Sequence, residues 1–323
     1  TEDQQVSIKL IEKTIEGFRD LESLGIGIQE VSTQDHDIIQ QFNDTIQVEN
    51  NRISVQIPWK NDMKDTVTPN FGYALGRLKS TIAKLKKENL VNEYETIFQD
   101  QLNQNIISEV PLTKTIKDKG IFLPHFHVVR PNVATTKVRV VVDPAGKANT
   151  QDVALNDAIQ DCPDLLPHLA ELCIRMRHGT YLMIGDIQKA YLQLQYQLEQ
   201  DKNCHTLLWV KDVTKPITSD NVKCYRYNRV TFGNKSSPFL LQQTLQLLFQ
   251  QSEEPGAQEI GTRWYMDNLI SNGEKFVDLE NDYYATIDTL NPYSINVYEW
   301  ATNHPEMQKF LERSEERRVG KEC

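Results

Sequence analysis

Apolar positions along the chain change their period several times, and each change predicts an element. In residues 1–60 a polar helix is expected near 4–20, then the turn LESLGIGI, then a strand at the alternating stretch NRISVQIPW. Pro58 and the polar run KNDMKDTVTPN mark a boundary or a surface loop. From Phe71 onward Leu75, Leu78, Ile82 and Leu85, then Tyr94, Ile97, Phe98 and Leu102, recur at helical spacing and predict a long core-facing stripe. After residue 110 the period shortens. IFLPHFHVVRP and TTKVRVVVDPAGK predict two extended segments joined by a Pro-Asn turn, and GTYLMIGDI a nearly all-apolar strand. HTLLWV and KCYRYNRVTFG predict a further strand pair, and SPFLLQQTLQLLFQQ a helix opened by Ser237 and Pro238. TRWYMDNLIS reads as strand–turn–strand and DLENDYYATIDTL as a helix. The order is α+β, with no repeat and without the regular alternation of a doubly wound sheet.

Composition narrows the class. A chain of 323 residues supports one large or two moderate domains, and 39% hydrophobic with 25% charged residues is ordinary for a globular protein. No apolar run approaches the roughly 18 residues of a membrane span. The first residues, TEDQQVSIKL, lack a secretory pattern and a starting Met, so a piece of something longer is expected. Five scattered cysteines without a Cys-x-x-Cys pair argue against a disulfide framework or zinc ribbon and for a reducing compartment. The net charge of −10 argues against a nucleic-acid partner until its distribution is read. Residues 1–50 carry eleven acidic and three basic side chains, whereas residues 113–150 carry seven basic and two acidic ones. The second block suits phosphates.

Two apolar strands each deliver one carboxylate, Asp186 after YLMIG and Asp267 within WYMDNLI. A buried anion needs a partner, and neither strand carries a lysine or arginine inside it, although Lys189 follows Asp186 by three residues. A pair of divalent cations is the economical partner. Taken singly, each aspartate reads first as an ordinary cap of a turn or helix. The neighbours favour chemistry: Tyr191 lies five residues after Asp186, and RVTFGNKSSPF supplies a Gly-containing turn leading into a helix N-terminus. Lys137 and Arg139 share one strand face, suited to a triphosphate. His125 and His127 alternate on one strand but lack a third ligand, which favours core or surface histidines over a metal pair. NDTI at 43–46 lacks the glycine an aspartic-protease turn requires.

An ordered series of motifs then resembles the pol polyprotein of BEL/Pao-type LTR retrotransposons, in its reverse transcriptase region. The series is LESLGI, VQIPW, FGYALGRLKS, LPHFHVVRP, TTKVRVVVDPAGK, LND, DIQKAY, YRYNRVTFGNKSSPFLL, YMDNLI and INVYEWATNHPE, from about residue 18 to about 308. The resemblance implies a right-hand polymerase fold: β-rich fingers and an antiparallel palm sheet backed by helices, with the thumb missing or incomplete. It divides the chain into a protease-to-polymerase connection over 1–110, fingers and palm over 111–300, and the start of the following region over 301–312.

It further implies that Asp186 and Asp267 bind two Mg²⁺ ions (Mn²⁺ substituting), with the Ile187 carbonyl on the nucleotide side. Tyr191 would abut the incoming sugar, Lys137 and Arg139 the triphosphate, Phe232 and Gly233 the nucleotide and template, and Tyr265 the primer end. The implied partners are an RNA or DNA template with primer, deoxynucleoside triphosphates, and the remaining protease, RNase H and integrase of the polyprotein. The implied location is a cytoplasmic virus-like particle, with no membrane partner, and weak grip on primer–template without the thumb.

Asn268 departs from the family, which more often has a second Asp there. Asn keeps an oxygen and the shape but loses the charge. The expected site is competent, slower or more Mn²⁺-tolerant; the alternative is an inactive or co-opted fragment that at most binds nucleic acid. A rival class, an unrelated two-metal nuclease or phosphatase, would not predict Tyr191 or FGNKSSPF. RSEERRVGKEC, residues 313–323, resembles the translation of a sequencing-adapter oligonucleotide and is read as an assembly artefact.

Overall fold

The computed structural model describes residues 32–60, 63–129 and 138–319. The expected helix near 4–20, the LESLGIGI turn, the Pro-Asn turn and Lys137 lie outside the described residues. The apolar stripe that begins at Phe71 forms two helices, Phe71–Lys87 and Val91–Asn103. They part where Asn89 adopts a left-handed backbone (φ +57°), which asparagine tolerates better than most residues. Leu78, Ile82 and Leu85 of the first helix and Tyr94 and Phe98 of the second are buried in the same core. The stripe is thus redirected at Asn89.

In chain order the first six strands are β1 (Gln47–Glu49), β2 (Arg52–Val55), β3 (Ile107–Val110), β4 (His125–Val129), β5 (Val138–Val142) and β6 (Tyr181–Ile187). They are followed by β7 (Gln195–Tyr196), β8 (Thr206–Val210), β9 (Val222–Tyr227), β10 (Trp264–Tyr265), β11 (Asn268–Gly273) and β12 (Val297–Thr302). These make four small sheets, ordered β1-β2-β7, β10-β11-β6-β12, β3-β9-β8 and β4-β5. Every pairing is antiparallel except β2 with β7. The fold is therefore a mixture of helices and small, mostly antiparallel sheets. Two sheets join early and late chain: Ser54 pairs with Gln195 and Ile107 with Tyr227. Asp201, buried in the helix Glu199–Asn203, makes another such tie. Its carboxylate accepts the Ile57 N–H at 3.1 Å and the Trp59 indole N–H at 2.9 Å.

The β10-β11-β6-β12 sheet is covered by the helices Phe276–Leu290 and Pro305–Val319, which pack on β11 and β12. The latter helix continues past Arg313 into the segment read as adapter-derived. Alternation does the sorting along β6. Met183, Gly185 and Ile187 are buried, while Leu182, Ile184 and Asp186 lie on the half-open face. Gly185 is required by its neighbours: a Cβ there would stand 2.8 Å from both Trp300 Cε3 and Val297 Cγ1. Its absence lets β12 close on β6 beside Asp186. Among the described residues, no helix is long and apolar enough to cross a membrane.

His125 and His127 are core and edge residues here. His125 lies between the Tyr94 hydroxyl (2.7 Å from Nδ1) and the Leu208 carbonyl (2.8 Å from Nε2), and burial pushes its pKa down to about 4. His127 Nε2 meets Glu88 at 2.6 Å. A second buried ring, His205, is likewise pushed down to about 4 by burial. Both folded values lie below the ordinary histidine value of about 6.5, so the unfolded chain binds more protons between those limits. Folding stability should accordingly fall as pH drops from about 6.5 toward 4, by at most about 3 kcal/mol per ring. Urea titrations across that range would check it; a His125→Asn, His205→Asn chain should show a flatter profile.

Candidate active site

Trp264 to Leu269 fold as a tight hairpin in which Trp264 pairs with Leu269 and Tyr265 with Asn268. Met266 and Asp267 form its two-residue loop, with Met266 alone at positive φ (+56°), as a twisted two-residue turn demands. Gln242, on the helix Ser237–Gln251, donates from Nε2 to the Met266 carbonyl at 2.6 Å and holds the loop. The register then sets Asn268 directly opposite Asp186. Such cross-strand partners lie about 4.5–5.5 Å apart at Cα and share a face. Asp267 is one residue along the loop, and its carbonyl accepts the Ile187 N–H at 2.8 Å. On the other flank Tyr298 of β12 also pairs with Asp186. One row across the sheet therefore reads Tyr265, Asn268, Asp186, Tyr298, with Asp267 at its end of the hairpin.

Charge at this row is unbalanced. Burial pushes the Asp186 carboxyl up to about 6, helped by repulsion from Asp267 and then Glu299, while Arg139 pulls it down. Glu299 sits at positive φ (+50°) where the β12–β6 register shifts. Lys189, the nearest basic residue in sequence, donates to Gln104 at 3.0 Å. Asn268 Nδ2 donates to Asp267 Oδ1 at 3.0 Å, so a neutral amide stands where a second carboxylate would repel.

The other expected residues gather around the same row. Burial, and after it the charge of Asp267, raise the Tyr191 pKa, and the Tyr191 ring meets Phe232 edge-on with centroids 4.7 Å apart. Phe232 is 44% exposed, and Gly233 has φ +87°. A Cβ at Gly233 would stand 3.0 Å from the Val142 carbonyl oxygen, so glycine lets this turn lie against the end of β5, the strand of Arg139. Asn156 of the LND motif clamps the turn, donating to the Gly233 carbonyl at 3.0 Å and accepting the Lys235 N–H at 3.0 Å. Beneath it Asn234 donates to Tyr196 Oη (3.3 Å) and His205 Nε2 (3.0 Å), and its Oδ1 accepts the Ser236 N–H at 3.2 Å. His205 Nδ1 donates in turn to the Asp201 carbonyl at 2.7 Å.

Asp186, Ile187, Asp267 and Asn268 thus meet across two strands, with Tyr265, Tyr191, Phe232, Gly233 and Arg139 around them. Lys137 alone of the expected set is outside the described residues. Sequence reasoning missed Tyr298, Glu299, Asn156, Gln242 and His205. Only Asn156, within LND, and Tyr298 and Glu299, within INVYEWATNHPE, carried a signal. Among the described residues, no group of three or more His, Cys, Asp or Glu side chains is arranged to hold a metal ion. The oxygens at hand are two carboxylates, the Asn268 amide and a backbone carbonyl. All are hard donors, suited to magnesium or manganese more than to zinc. Comparison of the chain with protein-family models and with curated proteins found no match to either.

Proposed function

We propose that the chain is a BEL/Pao-type reverse transcriptase region, folded as fingers and palm, that extends a primer on an RNA or DNA template. The observation that carries the proposal is the register of Asn268 on Asp186, with Asp267 beside them in the loop. Two-metal nucleotidyl transfer needs carboxylates from separate strands converging on one face. The surplus of negative charge around Asp186 is a second support, because it fits a site completed by cations.

In this reading Asp186 and Asp267 would hold the cations, and the Ile187 carbonyl and Asn268 amide oxygen would add neutral donors. When bound, two magnesium ions supply the charge that activates the primer 3′-oxygen and neutralises the triphosphate. That oxygen, giving its proton up to water, attacks the α-phosphorus, the bond to the β-phosphate breaks, and pyrophosphate leaves. Arg139 draws the triphosphate toward β5, the Tyr191–Phe232 pair walls the sugar, and Tyr265 bears on the primer end. Template contacts are mainly to phosphate and therefore salt-sensitive.

Primer extension on an RNA template, with Mg²⁺ and Mn²⁺ in parallel, tests this. The parent chain should extend the primer and Asp267→Ala should not. Asn268→Asp should raise the Mg²⁺ rate by about tenfold, equivalent to about 1.4 kcal/mol of barrier, and shrink the advantage of Mn²⁺. A parent inert with both metals, gaining activity only as Asn268→Asp, would identify a decayed copy. Full synthesis by Asp267→Ala would end the metal-ligand assignment.

A further inference from the structure

Two arginines meet beside the β1-β2-β7 sheet with no carboxylate between them. Arg52 opens β2 and is half-buried; Arg229, just after β9, is 6% exposed. The backbone brings them together. Ser54, two residues after Arg52 and on the same strand face, pairs with Gln195 of β7, and Gln195 bridges in turn to Arg229. One nitrogen of each guanidinium meets a neutral carboxamide: Arg52 Nη1 donates to Gln193 Oε1 at 3.4 Å and Arg229 Nη1 to Gln195 Oε1 at 3.3 Å. Nε and Nη2 of both residues have no acceptor among the described residues, yet none of these four atoms is shut off from solvent.

A cation taken out of water ordinarily has a counter-charge. Arg226 and Arg263, also half-buried, show the usual solution, with Glu199 at 2.8 Å and Asp282 at 2.7 Å. Arg52 and Arg229 have no acidic partner within 4.0 Å among the described residues. Glu49 stands opposite Arg52 in the hairpin register, but its Oε2 accepts from Ser54 Oγ at 3.0 Å and from Gln195 Nε2 at 3.2 Å. Burial, and after it the charge of Arg52, pulls the Arg229 pKa down to about 10, and burial lowers that of Arg52 as well. The fold therefore holds two poorly solvated like charges together, with four donor nitrogens idle.

An anion between the two forks relieves the repulsion and engages those donors. A carboxylate has two oxygens and one charge, and a single fork saturates it. A doubly charged phosphate has at least three free oxygens and balances two guanidinium groups. We infer that Arg52 and Arg229 bind a doubly charged phosphate, either free or as the terminal phosphate of a nucleotide. The inference rests on the arginine pair and not on the polymerase reading, in which the triphosphate contact is Arg139 on β5. It touches the same neighbourhood nonetheless. Gln193, the acceptor for Arg52, donates to the carbonyl of Gln188, two residues past Asp186, and Arg229 lies three residues before Phe232. A bound phosphate would fasten the first hairpin of the described chain to the segment that follows Asp186.

Inorganic phosphate, titrated into the whole chain in EDTA at constant ionic strength and mildly alkaline pH, should raise the melting temperature saturably, and chloride should not. Arg52→Gln should weaken the phosphate response by about tenfold or more, as loss of a charged hydrogen-bonding partner does. Arg139→Gln should respond as the parent does, which separates this site from the one proposed for the triphosphate. Thymidine 5′-monophosphate acting at a lower concentration than phosphate, with thymidine silent, identifies a nucleotide; action at no lower concentration identifies free phosphate. Either sustains the site. No saturable rise, an equal rise with chloride, a response undiminished in Arg52→Gln, or one lost in Arg139→Gln overturns it. Arg229→Gln should match Arg52→Gln; should that buried variant fail to fold, Arg52→Gln decides alone. A chain inert in primer extension leaves every one of these outcomes readable.

Discussion

Asp186→Asn should abolish nucleotide incorporation and yet make the metal-free chain more stable. The first half follows from the proposed reaction. Asparagine keeps the shape but removes a charge shared by both cations, and a loss on the order of 10³-fold or more is expected, about 4 kcal/mol of barrier. The second half follows from the protein alone. Burial and the like charges of Asp267 and Glu299 push the Asp186 carboxyl up to about 6. A carboxyl raised in the folded state binds its proton more tightly than in the unfolded chain, so ionisation works against folding as pH rises from about 4 through 6. A two-unit shift corresponds to about 3 kcal/mol, reduced to roughly 1–2 kcal/mol because the group is half open to solvent. Melting in EDTA at pH 7 should thus favour Asp186→Asn, and the gain should vanish near pH 4, where both forms are neutral. A variant that incorporates normally, or that melts below the parent at pH 7, would sink the account.

Asp201→Ala should be the most damaging single change remote from the reaction. It strips the buried Ile57 N–H and the half-buried Trp59 indole N–H of the Asp201 carboxylate as acceptor. A buried donor that loses its acceptor costs about 1–3 kcal/mol, and the loss at Ile57 alone should be of that size. The loss should appear as a lower denaturant midpoint with an unchanged slope. The backbone carbonyl of residue 201, which holds His205 and through it Asn234 under the Phe232–Gly233 turn, is kept in the alanine variant, so that support of the site should survive. Asp201→Asn retains one acceptor and should lose about half as much. An alanine variant as stable as the parent would refute the assignment of this tie.

Much of the site could be read from sequence because the chemistry stood out against its surroundings. A lone aspartate closing an apolar run marks itself, as Asp186 and Asp267 do, and strand alternation sorts faces well. The two-residue loop of the hairpin was legible as strand–turn–strand from local pattern alone. Asn89 was not, since nothing in a uniform helical period announces a left-handed residue. Tyr298 and Glu299 depend on β12 lying beside β6, and sheet order is a long-range property that periodicity does not encode. His205 is a single histidine whose role exists only through Asp201 and Asn234. Arg52 and Arg229 come together only through the β2–β7 pairing and the Gln195 bridge, which no local pattern announces.

The pairing of β3 with β9 and of β2 with β7 makes the first third of the described chain an organ of the whole rather than a tether. Translation must proceed past residue 227 before β3 meets its partner, so the ribosome releases a long apolar segment that waits for completion. Trimming the chain at 110 would bare the flank of β9, whose side chains are mostly buried, and invite strand-to-strand aggregation. Expression boundaries for this protein belong upstream of residue 33, and inclusion bodies from shorter versions would be the cost of ignoring that weave.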